Sequence, residues 1–160
     1  MIKDIAMATK IEDYIVTTLA AVTDTAGDKP FDTVAAYTDQ LDPTNGGIKA
    51  AAKYKCFAFV AFSPADAGRE GDSDLKQTLK FAVMIGATSD ISGLARRGNS
   101  IVYGTNKLRE FVITALDHKH PMSGVVELKC DDLNYDGETM VCETPKLSIV
   151  ELGFSVEWFM

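Results

Sequence analysis

The residue types and spacing most suited to chemistry lie near the C-terminus. Asp132, Asn134, Asp136, Gly137 and Glu143 match the calcium-loop pattern D-x-[DN]-x-[DN]-G-x5-E position by position. In such a loop, carboxylate and amide oxygens at alternate positions converge on one hard cation, and the glycine permits the tight turn. The surroundings differ from those of an EF-hand, which needs a helix on each side. Val125 to Leu128 before the pattern and Met140 to Cys142 within it have strand character, and Pro145 blocks an exiting helix. Asn134 to Gly137 therefore reads as a hairpin turn, and calcium held by Asp132, Asn134, Asp136 and Glu143 stands as the second reading.

The remaining reactive residues give less. His118 and His120 are two apart, which on a helix points them in different directions, and they read as cations at a helix end. Cys56, Cys130 and Cys142 form no CxxC pair and read as buried free thiols. There is no G-x-S-x-G elbow, no P-loop ending after Gly68-Arg69-Glu70-Gly71 and no G-x-G-x-x-G after a strand. No catalytic residue, resident metal or cofactor is singled out. Arg69, Glu70, Arg96 and Arg97 sit in two loops, where they are either solvated charges or partners across a subunit contact. The apolar end at Trp158 and Phe159 needs a cover, from its own domain or from a neighbour.

The elements that must position these residues are constrained by composition. The chain has 160 residues, 46% of them hydrophobic, with 23 acidic against 16 basic side chains and a formal net charge of -7. This is the size and composition of one globular domain, 1–160, with enough core to fold without disulfides or metal. The acidic balance, with no basic run longer than Arg96-Arg97, argues against binding the phosphate backbone of a nucleic acid. Charges throughout the first 13 residues interrupt any signal-peptide core, and no segment has the length of apolar residues that would cross a membrane. The expectation is a soluble protein.

Ile11, Tyr14, Ile15, Leu19 and Val22 predict a helix over 4–23, which Gly27 and Pro30 bring to an end. A weak strand follows over 31–37, then a turn-rich loop over 38–53 with a brief helical turn at 48–52. Residues 55–62 are apolar on both faces, as in a covered strand, and 75–86 alternate, with Leu75, Leu79, Phe81, Val83 and Ile85 on one side. Joined by the polar loop 63–74, they make a long antiparallel hairpin. After a loop over 88–100, Leu108, Phe111, Val112, Ala115 and Leu116 predict a helix over 101–118. Strands are expected over 124–132, 138–144 and 146–160, the last with Val150, Leu152, Phe154, Val156 and Trp158 on one face. The fold class is α+β, a mainly antiparallel sheet with two helices on one face.

With its elements in order, the chain resembles a known family. An Ile11-Glu12-Asp13 helix, the long hairpin over 55–86, a Gly-x-x-Tyr-Gly-like lead-in at Asn99 to Gly104, a Leu-x-x-Phe-Val helix, a proline-containing loop after it and a final amphipathic strand look like the Mu-like phage tail proteins related to tail terminators. The long loop over 38–53 is a departure from that pattern. The resemblance implies a non-enzymatic virion component, made in the host cytoplasm, that assembles with itself as a ring of six at the head-proximal end of the tail. It implies contacts with the tail tube protein, the sheath and head-completion or connector proteins. DNA would only pass through the lumen, past which an acidic wall lets it slide. Under this reading Arg69, Glu70, Arg96, Arg97, Trp158 and Phe159 are the candidate interface.

Overall fold

Ala8, Ile11, Ile15 and Leu19 recur every three or four residues, and this stripe closes helix α1, Ile2–Ala20, onto the core, where all four are buried. The computed structural model describes residues 2–38, 40–41, 54–63, 68–69, 76–89, 93–99 and 103–159. Past the helix, Asp24 Oδ1 accepts the backbone N–H groups of Ala26 and Asp28, which folds the connection into a turn.

The main sheet is built from β1 (Thr33–Ala36), β2 (Cys56–Phe62), β4 (Lys76–Thr88), β8 (Leu147–Phe159) and β7 (Asn134–Thr144), side by side in that order. The two-residue strand β3, Gly68–Arg69, also pairs with β4, opposite Thr78 and Gln77. The protein is thus α+β, as its element order predicts, but the sheet is mixed. β1 runs parallel to β2, from Thr33↔Phe57 to Ala36↔Val60. The hairpin is as expected: β2 pairs antiparallel with β4 from Cys56↔Ala87 to Phe62↔Phe81. The expected loop and helical turn at 39 and 42–53 lie outside the described residues, as does most of the 63–74 loop.

Alternation assigns each strand face. Leu79, Phe81, Val83 and Ile85 of β4 and Val150, Leu152, Phe154, Val156 and Trp158 of β8 are all buried in one cluster with α1 and with Leu108, Val112 and Leu116 of α3, Thr105–Leu116. Both long helices therefore pack on one face. β2 is covered on both sides, as its unbroken apolar run requires: Cys56, Ala58 and Val60 face the helices, while Phe57 and Phe59 stack at 4.9 Å on the other face among Tyr37, Leu41, Tyr54 and Met84. There the Phe57 ring lies directly on Gly86, its cross-strand neighbour, where a Cβ would overlap the ring.

Four expectations change. The loop over 88–100 contains a one-turn helix α2, Leu94–Arg97, too short to show a period. Helix α3 begins at Thr105, not 101, since Gly104 is extended and the Thr105 hydroxyl is used in a buried 2.8 Å hydrogen bond with Ser148. In place of a strand over 124–132 there is a two-residue hairpin, β5 (Met122–Ser123) with β6 (Val126–Glu127), turned by Gly124 at φ 63, and Cys130 makes a single bridge to Trp158. The expected turn at Asn134 to Gly137 is part of β7, with an irregularity between Tyr135 and Gly137; the chain turns instead at Pro145-Lys146.

Candidate functional site

The calcium-loop residues do not form a loop. Asn134, Asp136 and Glu143 all lie on the extended strand β7, so Asp136 and Glu143 are separated by seven residues, roughly 23 Å of strand. Each donor has its own local use. Asp132 Oδ1 meets His120 Nδ1 at 3.0 Å, Asp136 Oδ1 accepts the Ser155 hydroxyl at 3.0 Å, and Glu143 Oε1 pairs with Arg96 at 3.1 Å. The four residues share no common cation position, and among the described residues no group of three or more His, Cys, Asp or Glu side chains stands together. The spacing identified the right residue types, but convergence needs a curled backbone that the β7–β8 ladder does not allow.

His120 instead serves a structural role. Its Nδ1 faces Asp132 and its Nε2 lies 2.8 Å from the Leu128 carbonyl, so the imidazole ring closes the stem of the β5–β6 hairpin. Those two acceptors, the Leu128 carbonyl first and then Asp132, hold its pKa above the ordinary histidine value. His118, at φ 59, is exposed and donates its backbone N–H to Leu133, which is how the chain leaves α3. Neither histidine ring meets the last carbonyls of α3, as cations at a helix end would; the His120 ring bonds Asp132 and Leu128, and His118 contributes its backbone N–H.

The thiols of Cys56 and Cys130 are buried, and burial pushes them up to about 12 and about 11 respectively. At neutral pH neither is a thiolate nucleophile. Cys142 is half-buried on the sheet face away from the helices. Tyr103 donates its hydroxyl to Asp24, tying the turn after α1 to the lead-in of α3; this bond pushes the phenol up to about 12 and holds the Asp24 carboxyl below the usual range. Glu12 accepts the Phe62 N–H at the end of β2, and partial burial raises its pKa.

Of the candidate interface residues, Arg96 and Arg97 are exposed in the last turn of α2. There, with Gly93, Glu143, Thr144 and Pro145, they line a recess of about 300 Å³ beside the β7–β8 turn. Arg69 is placed far from them along the sheet, on β3, and Glu70 lies outside the described residues. Of the two covers expected for Trp158, its own domain or a neighbour, the structure shows the first. Strand β8 is flanked by β4 and β7, and the indole is 7% exposed on the core face, so its own domain covers it. Phe159 is the last ladder residue of β8, opposite Lys76.

The exposed apolar groups are elsewhere. Val125 and Val126, at the tip of the β5–β6 hairpin, are 92% and 64% exposed, and Met140 and Val141 on the edge strand β7 are 46% and 44% exposed. The signal in the sequence was Gly124, since a glycine followed by one residue is a two-residue hairpin loop of the type that turns Val125 outward. On the helix layer, Val22, Thr23, Lys107, Glu110, Phe111, Thr114 and Ala115 line an open cleft of about 460 Å³ between the end of α1 and α3. Compared with known proteins, the chain matches no family model and no curated relative.

Proposed function

We propose that this chain is a structural assembly protein that associates with copies of itself into a closed ring, acting as a phage tail-terminator-like component without enzymatic activity. The observation that carries the self-association is the pair of exposed apolar features, the Val125-Val126 tip and the Met140-Val141 edge, on a domain whose other large apolar residues, among those described, are buried or half-buried. They differ in shape and lie on different elements. Unlike surfaces that meet head to tail generate a rotation, and a rotation that closes makes a ring.

The place of the ring rests on the sequence resemblance. In that reading six copies cap the tail tube at its head-proximal end, stop its polymerisation and present a surface to the sheath and to head-completion proteins. A net charge of -7 per copy gives the ring an acidic field past which DNA moves without adhering.

Light scattering with negative-stain imaging tests this. A species of about 104 kDa, six times 17.3 kDa, with a central hole is expected, if not alone then on addition of tail tubes. A protein that stays at 17.3 kDa with tubes present, and leaves tube elongation unchanged, overturns the reading.

A further inference from the structure

Resting on that self-assembly reading, the geometry points to a specific contact within it: the β5–β6 tip of one copy seats Val125 and Val126 in the α1–α3 cleft of a second copy. The tip is built to project. Gly124 at φ 63 sets a two-residue turn, the pairings Met122↔Glu127 and Ser123↔Val126 stiffen it, and the His120 ring holds its stem to Leu128 and Asp132. An exposed turn ordinarily carries polar residues, whereas this one presents two adjacent valines to water.

The cleft supplies what the tip lacks. Val22, Phe111 and Ala115 offer apolar wall, the threonines Thr23 and Thr114 sit at its margin, and about 460 Å³ leaves room for two short branched side chains. Charge agrees. Glu127 follows Val126 directly and is exposed; at the cleft, the Lys107 ammonium stands 5.6 Å from the Phe111 ring centroid and 3.0 Å from Glu110. An ammonium has three N–H donors, so Lys107 can take Glu127 while keeping Glu110.

The occupant must come from another copy. Within one copy Met122, Ser123 and Gly124 lie beside Lys10, Asp13, Tyr14, Thr17 and Thr18 of α1, and Val125 stands 92% exposed, so the tip does not occupy the cleft of its own copy.

A crosslink reads the contact directly. In a Cys142→Ala background, Val125→Cys protein is mixed with Thr114→Cys protein and oxidised; both positions are exposed, so neither substitution disturbs the fold. The mixture is expected to give at least about tenfold more covalent heterodimer than Val125→Cys mixed with Ala6→Cys, an exposed position near the start of α1, since docking raises the effective thiol concentration. Lys107→Glu is expected to remove that excess, and Glu127→Lys on the partner to restore it. No excess over the Ala6→Cys mixture overturns the contact. So does a ring of unchanged mass in the Val125→Asp, Val126→Asp variant, which leaves the ring reading intact. If the crosslink forms but the wild-type species is a closed pair, the contact stands and the ring reading falls.

Discussion

His120 carries two acceptors on one small ring, and an imidazole can satisfy both only when both nitrogens bear protons. Its folded pKa is therefore raised, with the Leu128 carbonyl the larger cause and Asp132 the next. The stabilisation it gives is fully present below the unfolded histidine value, near 6.5, and is lost as pH rises through the higher folded value. Replacing His120 by Ala should lower stability by about 1 kcal/mol at pH 5.5, the ordinary worth of such hydrogen bonds, and by less at pH 8.5. Thermal melts of both proteins across that range check it. A difference that does not shrink as pH rises would show that the ring acts by packing alone. The same residue illustrates what a sequence conceals. His120 and Asp132 are twelve residues apart with nothing in their types to pair them, and only the hairpin between them brings them together.

The elements are joined at a few defined points, and the buried Thr105–Ser148 hydroxyl pair is the one that fixes the start of α3 on β8. Ser148→Ala removes one partner and leaves the Thr105 hydroxyl buried, at a cost of about 1–3 kcal/mol. The double variant Thr105→Val, Ser148→Ala removes both and should lie much closer to wild type. Urea unfolding of the four proteins gives the coupling; additive single effects would mean that the two hydroxyls do not depend on each other. β4 and β8 were legible in the sequence because their alternation has one cause, a sheet face pressed on helices. The run Val125 to Leu128 was misleading for the opposite reason. Its apolar residues suggest a strand, yet Gly124 turns the chain and leaves two of them in water. The calcium pattern failed likewise, since a spacing specifies donors but not backbone curvature, and an eleven-residue strand keeps them apart. β7 is an edge whose irregularities after Tyr135 and Met140, with Asp136, Glu138 and Glu143 along it, discourage indiscriminate strand pairing.

At the scale of the whole molecule, association must overcome repulsion between copies that each carry a formal charge of -7. Arg96 and Arg97 are the local exception, a cationic pair at the β7–β8 turn with Glu143 as the Arg96 partner. Changing both to Glu alters the charge by -2 each, from -7 to -11, and should abolish the ring if these residues lie in the contact between copies. Because the Arg96–Glu143 pair is exposed, the isolated domain should lose no more than about 1 kcal/mol, so its melting temperature serves as the control for folding. Repulsion in general must be separated from loss of a specific contact. The variant Lys80→Glu, Lys119→Glu also reaches -11, at two exposed positions away from the arginines, one on β4 opposite Ser155 and one past the far end of α3. Raising the salt to about 1 M shortens the screening length to about 3 Å and should restore assembly lost through net charge. A ring retained by the lysine variant but lost by the arginine variant at both salt concentrations places Arg96 and Arg97 in the interface. Equal loss in both variants, reversed by salt, makes charge alone responsible, and wild-type assembly of the arginine variant removes the pair from the interface.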